Sequence, residues 1–190
     1  MKNILSLFTF LLMTSSVFCQ SGGMRVYVGS TSMVNKDAVA NPEGFSHSGF
    51  HIGVDGRIMS GGMAFMVGGR FTSTSLTAVK DFKLKGHNST LSVMNGRVGL
   101  DISIFTFTPL IRIRTKALAS FDIVLGKSGP DIPLSGYILN DGWAGIVTGL
   151  GADIGPVIVD IEYEFGVING YNKIKGSTFN SLSFSLGFFF

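Results

Sequence analysis

The sequence predicts an all-β protein, an eight-stranded antiparallel up-and-down transmembrane β-barrel. Three observations lead to this prediction: an apolar N-terminal segment typical of export, regular alternation of apolar and polar residues along most of the remaining chain, and connecting segments that are alternately short and long. Together these features are typical of transmembrane β-barrels.

The chain is long enough for one domain, and its composition is rich in glycine and apolar residues. It contains 26 Gly and 17 Phe, with only 14% charged residues, and its mean hydropathy is +0.41. Such a composition excludes a disordered chain. The net charge of +3 comes without any run of Lys or Arg, so no nucleic-acid partner is predicted.

Residues 1–19 have the organisation of a cleaved secretory signal peptide. A basic residue precedes the apolar run at 4–13, which is too short to anchor the chain in a membrane. Val17 and Cys19 favour cleavage directly after Cys19, so residues 20–190 are predicted to form the outer-membrane barrel domain. The alternative is a lipoprotein acylated at Cys19, which the bulky residue before it disfavours.

The clearest strand is the last one, where apolar residues alternate with serine and glycine and Phe189 is the one exception. Its apolar positions are Leu182, Phe184, Leu186, Phe188 and Phe190. The same period of two predicts strands at 92–104, 110–126, 142–154 and 157–167 and, with a noisier pattern, at 24–31, 46–55 and 61–74.

The predicted connections alternate in length. Short turns are expected at 55–57 with the next few residues, at 105–109 and at Gly155-Pro156. Longer polar segments are expected at 32–45, 75–91, 127–141 and 170–177. Short turns at one end and long loops at the other are typical of membrane barrels.

Alternation alone does not separate a membrane barrel from a soluble one, because the two differ in which face points inward. On the five C-terminal strands the apolar face carries no charge, and the opposite face holds four basic and six acidic residues. These are Arg97, Asp101, Arg112, Arg114, Lys116, Asp122, Asp153, Asp160, Glu162 and Glu164. We predict that they line a closed lumen as an ion-pair network, which excludes a general diffusion porin.

Turn geometry predicts the register of this network. A two-residue turn at Gly155-Pro156 would place Asp160 opposite Gly151 and Glu162 opposite Gly149. Basic side chains on the next strand, at 112, 114 and 116, could then reach these acids through the space that glycine leaves. A symmetric turn at 105–108 would place Asp101 opposite Arg112.

Three segments carry a resemblance to a known family. They are the terminal segment 182–190, the glycine-rich block 149–156 leading into 160–166, and the segment 49–53. Together they resemble the PorT-like outer-membrane β-barrel family, which is related in architecture to OmpX-type eight-stranded barrels. The resemblance covers residues 24–190.

This resemblance implies location and fold more than activity. It implies the cell outer membrane of a Gram-negative bacterium, with the lipid bilayer and the barrel-assembly machinery as partners. The alternating apolar residues of the last strand, ending at Phe190, look like the signal that this machinery recognises. The protein after which the family is named is associated with protein secretion to the cell surface, and no residue here singles out that role.

We therefore expect a monomeric structural or surface-interaction protein whose four extracellular loops carry any recognition. No catalytic residue, cofactor site or metal site is predicted, and the sequence does not identify the ligand of the loops. One alternative is a lipid-modifying enzyme, a lipid A deacylase or acyltransferase, that would use His47, Ser48 and His51. The simpler interpretation is that both histidines are hydrogen-bonded lumen or rim residues. A second alternative is a soluble lipocalin-like binding barrel.

Overall fold

The structure is a computed structural model that describes residues 22–35, 46–76, 89–108, 110–128, 139–172 and 176–190. The predicted signal peptide lies outside these residues. Within them, no helix is both long enough and apolar enough to span a membrane.

Eight strands account for most of the described chain. They are β1 (Gly22–Asn35), β2 (Ser46–Ser60), β3 (Met63–Leu76), β4 (Ser89–Thr108), β5 (Ile111–Ser128), β6 (Gly142–Ile154), β7 (Val157–Gly166) and β8 (Phe179–Phe189). Each strand pairs antiparallel with the next, and β1 also pairs with β8, so the sheet closes into a barrel. The predicted fold class, an all-β up-and-down barrel of eight strands, is confirmed.

The strands are strongly staggered around the barrel. The stagger is found by going round the barrel from each residue to its partner on the next strand. Starting on β1, the successive partners are Gly23, Arg57, Met66, Gly99, Leu118, Val147, Glu164, Ser181 and Met33. The path returns to β1 at residue 33 after leaving it at residue 23, a stagger of 33 − 23 = 10 residues. Such a stagger requires tilted strands, and an eight-stranded barrel of this kind has an interior just wide enough to be filled by side chains.

Side chains alternate between an apolar outer wall and a buried interior. On β8, Leu182, Phe184 and Leu186 are about half exposed, whereas Ser183 and Ser185 are buried. The same alternation runs along β1 to β3, where Val26, Ile52 and Phe65 point outward. Since successive residues of a strand face opposite sides, alternation in the sequence becomes two walls of opposite chemistry.

The short connections all lie at one end of the barrel, together with Gly22 and Phe190. Gly155-Pro156 joins β6 to β7 as predicted, and Gly155 has a positive φ of 59°, which glycine adopts without strain. The turn predicted at 55–57 is wrong. Strand β2 continues through it to Ser60, and the chain turns at Gly61-Gly62, where Gly61 has a φ of 62°.

The hairpin of β4 and β5 is longer than the other short-turn hairpins. Strand β3 pairs with β4 only as far as Ile102, whereas β4 continues to Thr108 against β5. The register shifts between Ser103 and Phe105 and again between Thr106 and Thr108, which marks two bulges. As a result Asp101 lies opposite Lys116, and the predicted pairing of Asp101 with Arg112 is wrong.

Long connections lie at the other end, joining β1 to β2, β3 to β4, β5 to β6 and β7 to β8. The connections after β1, β3 and β5 are shorter than predicted because the strands extend further, for example β1 to residue 35 and β3 to residue 76. The connection after β7 is longer than predicted, because β7 ends at Gly166 and β8 begins at Phe179. The predicted alternation of short turns and long loops is present.

Candidate functional site: the ion-paired lumen

The inward faces of the strands fill the barrel with charged side chains. Each of these side chains belongs to a residue less than 9% exposed, and six are basic and seven acidic. They are Arg25, Arg57, Arg70, Arg97, Arg114 and Lys116, and Asp55, Asp101, Asp122, Asp153, Asp160, Glu162 and Glu164. The lumen is therefore closed and ion-paired, and these residues form what we call the lumen network.

Arg114 on β5 is the centre of the part of the network near the short turns. Its Nη1 lies 2.7 Å from Asp101 Oδ2, its Nε 2.7 Å from Asp153 Oδ1 and its Nη2 2.6 Å from Asp160 Oδ1. All three groups are on different strands, and the guanidinium is fully buried. One planar, always charged guanidinium group on β5 thus links β4, β6 and β7.

Glu162 on β7 binds three basic side chains near the middle of the barrel. Its Oε1 accepts hydrogen bonds from Arg97 Nη2 at 2.6 Å and Lys116 Nζ at 2.7 Å. Arg70 Nη1 lies 3.5 Å from Glu162 Oε2, and Lys116 Nζ also reaches Asp160 Oδ2 at 2.9 Å. Charges placed this close inside a protein attract strongly, which offsets the cost of removing them from water.

The network also crosses the seam where the barrel closes. Arg25 on β1 binds Asp55 on β2 through Nε and Nη2, and its Nη1 donates to Asp160 Oδ2 at 2.7 Å. The ring of Tyr27 lies 5.2 Å from Arg25 Cζ and 5.7 Å from Arg97 Cζ. This ring attracts both guanidinium groups.

Glycine makes room for the long charged side chains. A Cβ at Gly151 would collide with Asp160 Oδ1 and would lie 2.7 Å from Arg114 Cζ. Gly151 lies opposite Asp160 and Gly149 opposite Glu162, the register expected from a two-residue turn. A glycine at Gly68 gives the same space to the Asp55 carboxylate.

The lumen near the long loops has a different chemistry. A buried apolar group, here called the loop-side cluster, is formed by Met33, Leu91, Val93, Trp143 and Phe179. The rings of Trp143 and Phe179 are 4.8 Å apart, and Tyr171 packs 5.7 Å from Phe179. Burial raises the pKa of the Tyr171 hydroxyl, which lies beyond the end of β7. The lumen is thus filled mainly by ions toward the turns and by apolar groups toward the loops, with a second small apolar cluster of Met66, Leu118 and Val147 inside the barrel.

The structure brings nine of the ten predicted lumen residues into the buried interior, and Arg112 is the exception. Arg112 is half-buried at the turn end, and its Nη1 contacts Met59 Sδ at 3.5 Å. Within the described part of the chain it has no carboxylate within 4.0 Å. The bulges of β4 lie beside it, so the carboxylate of Asp101 is taken by Arg114 instead.

Sequence reasoning missed the network residues of the first three strands, namely Arg25, Asp55, Arg57 and Arg70. The alternation that could have identified them is present in β1. Val26 and Val28 point outward, so the period of two places Arg25, directly before them, on the inward face. Phe189, the apparent exception in the last strand, points inward, and its ring lies 5.4 Å from Arg57 Cζ.

Of the three residues of the hypothetical enzyme site, the structure describes the side chains of Ser48 and His51, and these two lie apart. His51 is buried in the lumen, with Nδ1 2.7 Å from Thr31 Oγ1 and Nε2 2.8 Å from Ser185 Oγ. Ser48 lies on the opposite, exposed face of β2, so it does not pair with His51. The side chain of His47 lies outside the described residues. Over the same described ranges, no three His, Cys, Asp or Glu side chains are grouped to hold a metal ion.

Comparison with known proteins supports the fold. No protein-family model matches the chain, and no curated protein sequence is similar to it. Among solved structures, the chain is similar to the crystal structure of Neisserial surface protein A (NspA), with a TM-score of 0.54 and 16% sequence identity. The match covers 88% of this chain and 97% of the other. The PorT-like resemblance remains a prediction.

Proposed function

We propose that this protein is an outer-membrane β-barrel that holds four loops at the cell surface, with a structural or recognition role carried by the loops. The lumen network serves as its rigid core. The barrel-assembly machinery would recognise the last strand through Leu182, Phe184, Leu186, Phe188 and Phe190, of which all five are exposed on the outer wall. A closed sheet leaves little strand edge for self-association, which favours a monomer.

The observation that supports this proposal most directly is the orientation of the two faces. Large apolar side chains are exposed all round the barrel, including Phe50, Ile161 and Phe184 at 58%, 53% and 49%. A monomeric protein in water rarely exposes a continuous apolar surface of this extent. Lipid accommodates it, since a closed barrel pairs its own backbone groups and needs no water.

The same orientation argues against a soluble lipocalin-like barrel, whose apolar face would point inward toward a ligand. Here the inward face carries Arg114 and Glu162, and the outward face carries Ile161. For the alternative of a lipid-modifying enzyme, the described residues offer no support, since His51 and Ser48 lie on opposite faces of β2. The likeness to NspA, which is named as a surface protein, agrees with a surface location.

Heat-modifiable migration tests the membrane barrel. The full-length protein, expressed with its N-terminal segment, should fractionate with outer membranes, require detergent for extraction and migrate differently in gels before and after boiling. Recovery from the periplasm without detergent would contradict the proposal.

Cysteine labelling of intact cells tests the orientation. Asp141→Cys places a thiol at the exposed loop end of β6, and Gly62→Cys places one in an exposed short turn. A membrane-impermeant maleimide should label the first variant on intact cells and the second only after the outer membrane is permeabilised. The reverse result would place the short turns at the surface.

A further inference from the structure

One carboxylate of the lumen network differs from the other six. Asp122 on β5 is 6% exposed and is the single buried carboxylate in the described chain with no basic nitrogen within 4.0 Å. Its Oδ1 accepts a hydrogen bond from Asn95 Nδ2 at 3.0 Å, the residue opposite it on β4. Its Oδ2 is buried and has no hydrogen-bond partner.

Glu164 on β7 is the neighbour of Asp122, and it is well supplied with donors. Ser120 Oγ donates to Glu164 Oε1 at 2.5 Å, while Arg70 Nη2 and Ser181 Oγ both donate to Oε2 at 3.3 Å. Glu164 therefore has one guanidinium and two hydroxyl groups as donors. Ser120, which contacts Glu164, lies two residues before Asp122 on the same buried face of β5, so the carboxyl groups of Asp122 and Glu164 are neighbours inside the barrel.

Two buried carboxyl groups that lie near each other repel when both are ionised, unless a positive charge lies between them. The charge count of the lumen leads to the same point. Among the residues that the structure describes, the buried side chains comprise six basic and seven acidic groups, one base fewer than the acids. Asp122 is the acid among them that has no basic partner, so the excess negative charge is located there.

We propose that Asp122 binds one proton in the folded barrel and donates it, from Oδ2, in a hydrogen bond to the Glu164 carboxylate. This proton gives the partnerless Oδ2 a hydrogen bond. It also leaves six negative charges beside the six positive charges of the described buried side chains. The proposal goes beyond the surface role, because it does not depend on what the loops bind.

The groups that face this pair come from several strands. On β3, Arg70 is the nearest base, and it is already bound to Glu164. Asn95 on β4 and Ser181 on β8 are neutral donors. On β6, Gly145 leaves the space between Ser120 and Glu164, since a Cβ there would lie 3.0 Å from both side chains. His51 on β2 is engaged with Thr31 of β1 and Ser185 of β8.

A bound proton on Asp122 predicts how the stability of the folded barrel depends on pH. An Asp in the unfolded chain releases its proton above about pH 4, whereas the folded barrel keeps it, so the folded state binds more protons and loses stability as the pH rises. For one retained proton the unfolding equilibrium constant changes about tenfold per pH unit, until the folded state also releases it.

Asp122→Asn is the decisive variant, because its amide nitrogen can donate to Glu164 as the acid does. We expect it to fold with wild-type stability or better at neutral pH. In urea unfolding above about pH 4, the unfolding equilibrium constant of the wild-type protein should rise about tenfold per pH unit relative to that of this variant. Asp153→Asn, which alters an ion-paired carboxylate, is the control and should keep the wild-type slope.

Infrared spectroscopy of the folded wild-type barrel reads the proton directly and does not require any variant to fold. A carboxylic acid carbonyl band should be present at neutral pH and should vanish at high pH. Where the variants fold, the band should be absent from Asp122→Asn and present in Asp153→Asn. Absence of the band from the wild-type spectrum would overturn the proposal. So would stability that follows the concentration of Na⁺ or K⁺ at fixed ionic strength and not the pH, because a metal cation would then fill the site.

Discussion

The two ends of the lumen solve the same packing problem with opposite chemistry. Toward the short turns the space is filled by the lumen network around Arg114, and toward the long loops by the loop-side cluster around Trp143 and Phe179. A buried ion pair depends on each of its partners, because the loss of one leaves an uncompensated charge. An apolar contact is shared among many atoms and fails more gradually. The turn end should therefore be rigid and sensitive, and the loop end more tolerant of change.

The largest effect is expected for Arg114→Met, which removes the base that three buried carboxylates share. The change should lower the free energy of unfolding by about 4 kcal/mol, measured by urea unfolding of the refolded barrel in lipid. Arg112→Met, the same substitution two residues away outside the network, is the matched control and should cost less than about 0.5 kcal/mol. Equal losses at both positions would remove the basis for calling the turn end sensitive.

A smaller loss is expected for Leu91→Ala in the loop-side cluster, where Leu91 is fully buried. The cavity should cost about 3 kcal/mol, with little dependence on salt, in the same unfolding assay. Leu100→Ala on the outer wall of the same strand, where the side chain is 43% exposed, should cost about 1 kcal/mol. A loss at Leu91 that exceeds that of Arg114→Met would reverse the comparison.

Gly151→Ala should have the smallest effect of the three, about 2 kcal/mol, because the added methyl group displaces Asp160 and Arg114. The thermal transition of the refolded barrel measures it. Gly62→Ala provides the control, since a Cβ there meets nothing within 4 Å. Wild-type stability for Gly151→Ala would show that the network can shift to accept a methyl group.

The fold was predictable because a membrane barrel repeats one local rule. Alternation divided the residues of β8 between two faces, the charges on one face of β4 to β7 indicated which side points inward, and the turn at Gly155-Pro156 determined the register of β6 and β7. This local reasoning placed Asp160 and Glu162 correctly opposite glycine. Where a turn is tight, sequence distance converts directly into pairing.

Other parts of the network were not predictable from the same rule. The two bulges of β4 shift the register by amounts that alternation does not encode, and they separate Arg112 from Asp101. Gly56 lies within β2, where turn chemistry suggested a loop, because pairing with both neighbouring strands outweighs its local preference. Which base meets which acid across the lumen depends on the stagger of the whole barrel, which only the closed structure reveals.

The contact of Arg25 with Asp160 also bears on how the barrel acquires its structure. These residues are 135 positions apart in the chain, and the hydrogen bond between Thr31 and Ser183 spans 152 positions. Contacts of such high order form only when the first and last strands meet, so the assembling chain carries unpaired charges until that moment. Folding should then be slow and cooperative, with little stability gained before the ring is complete.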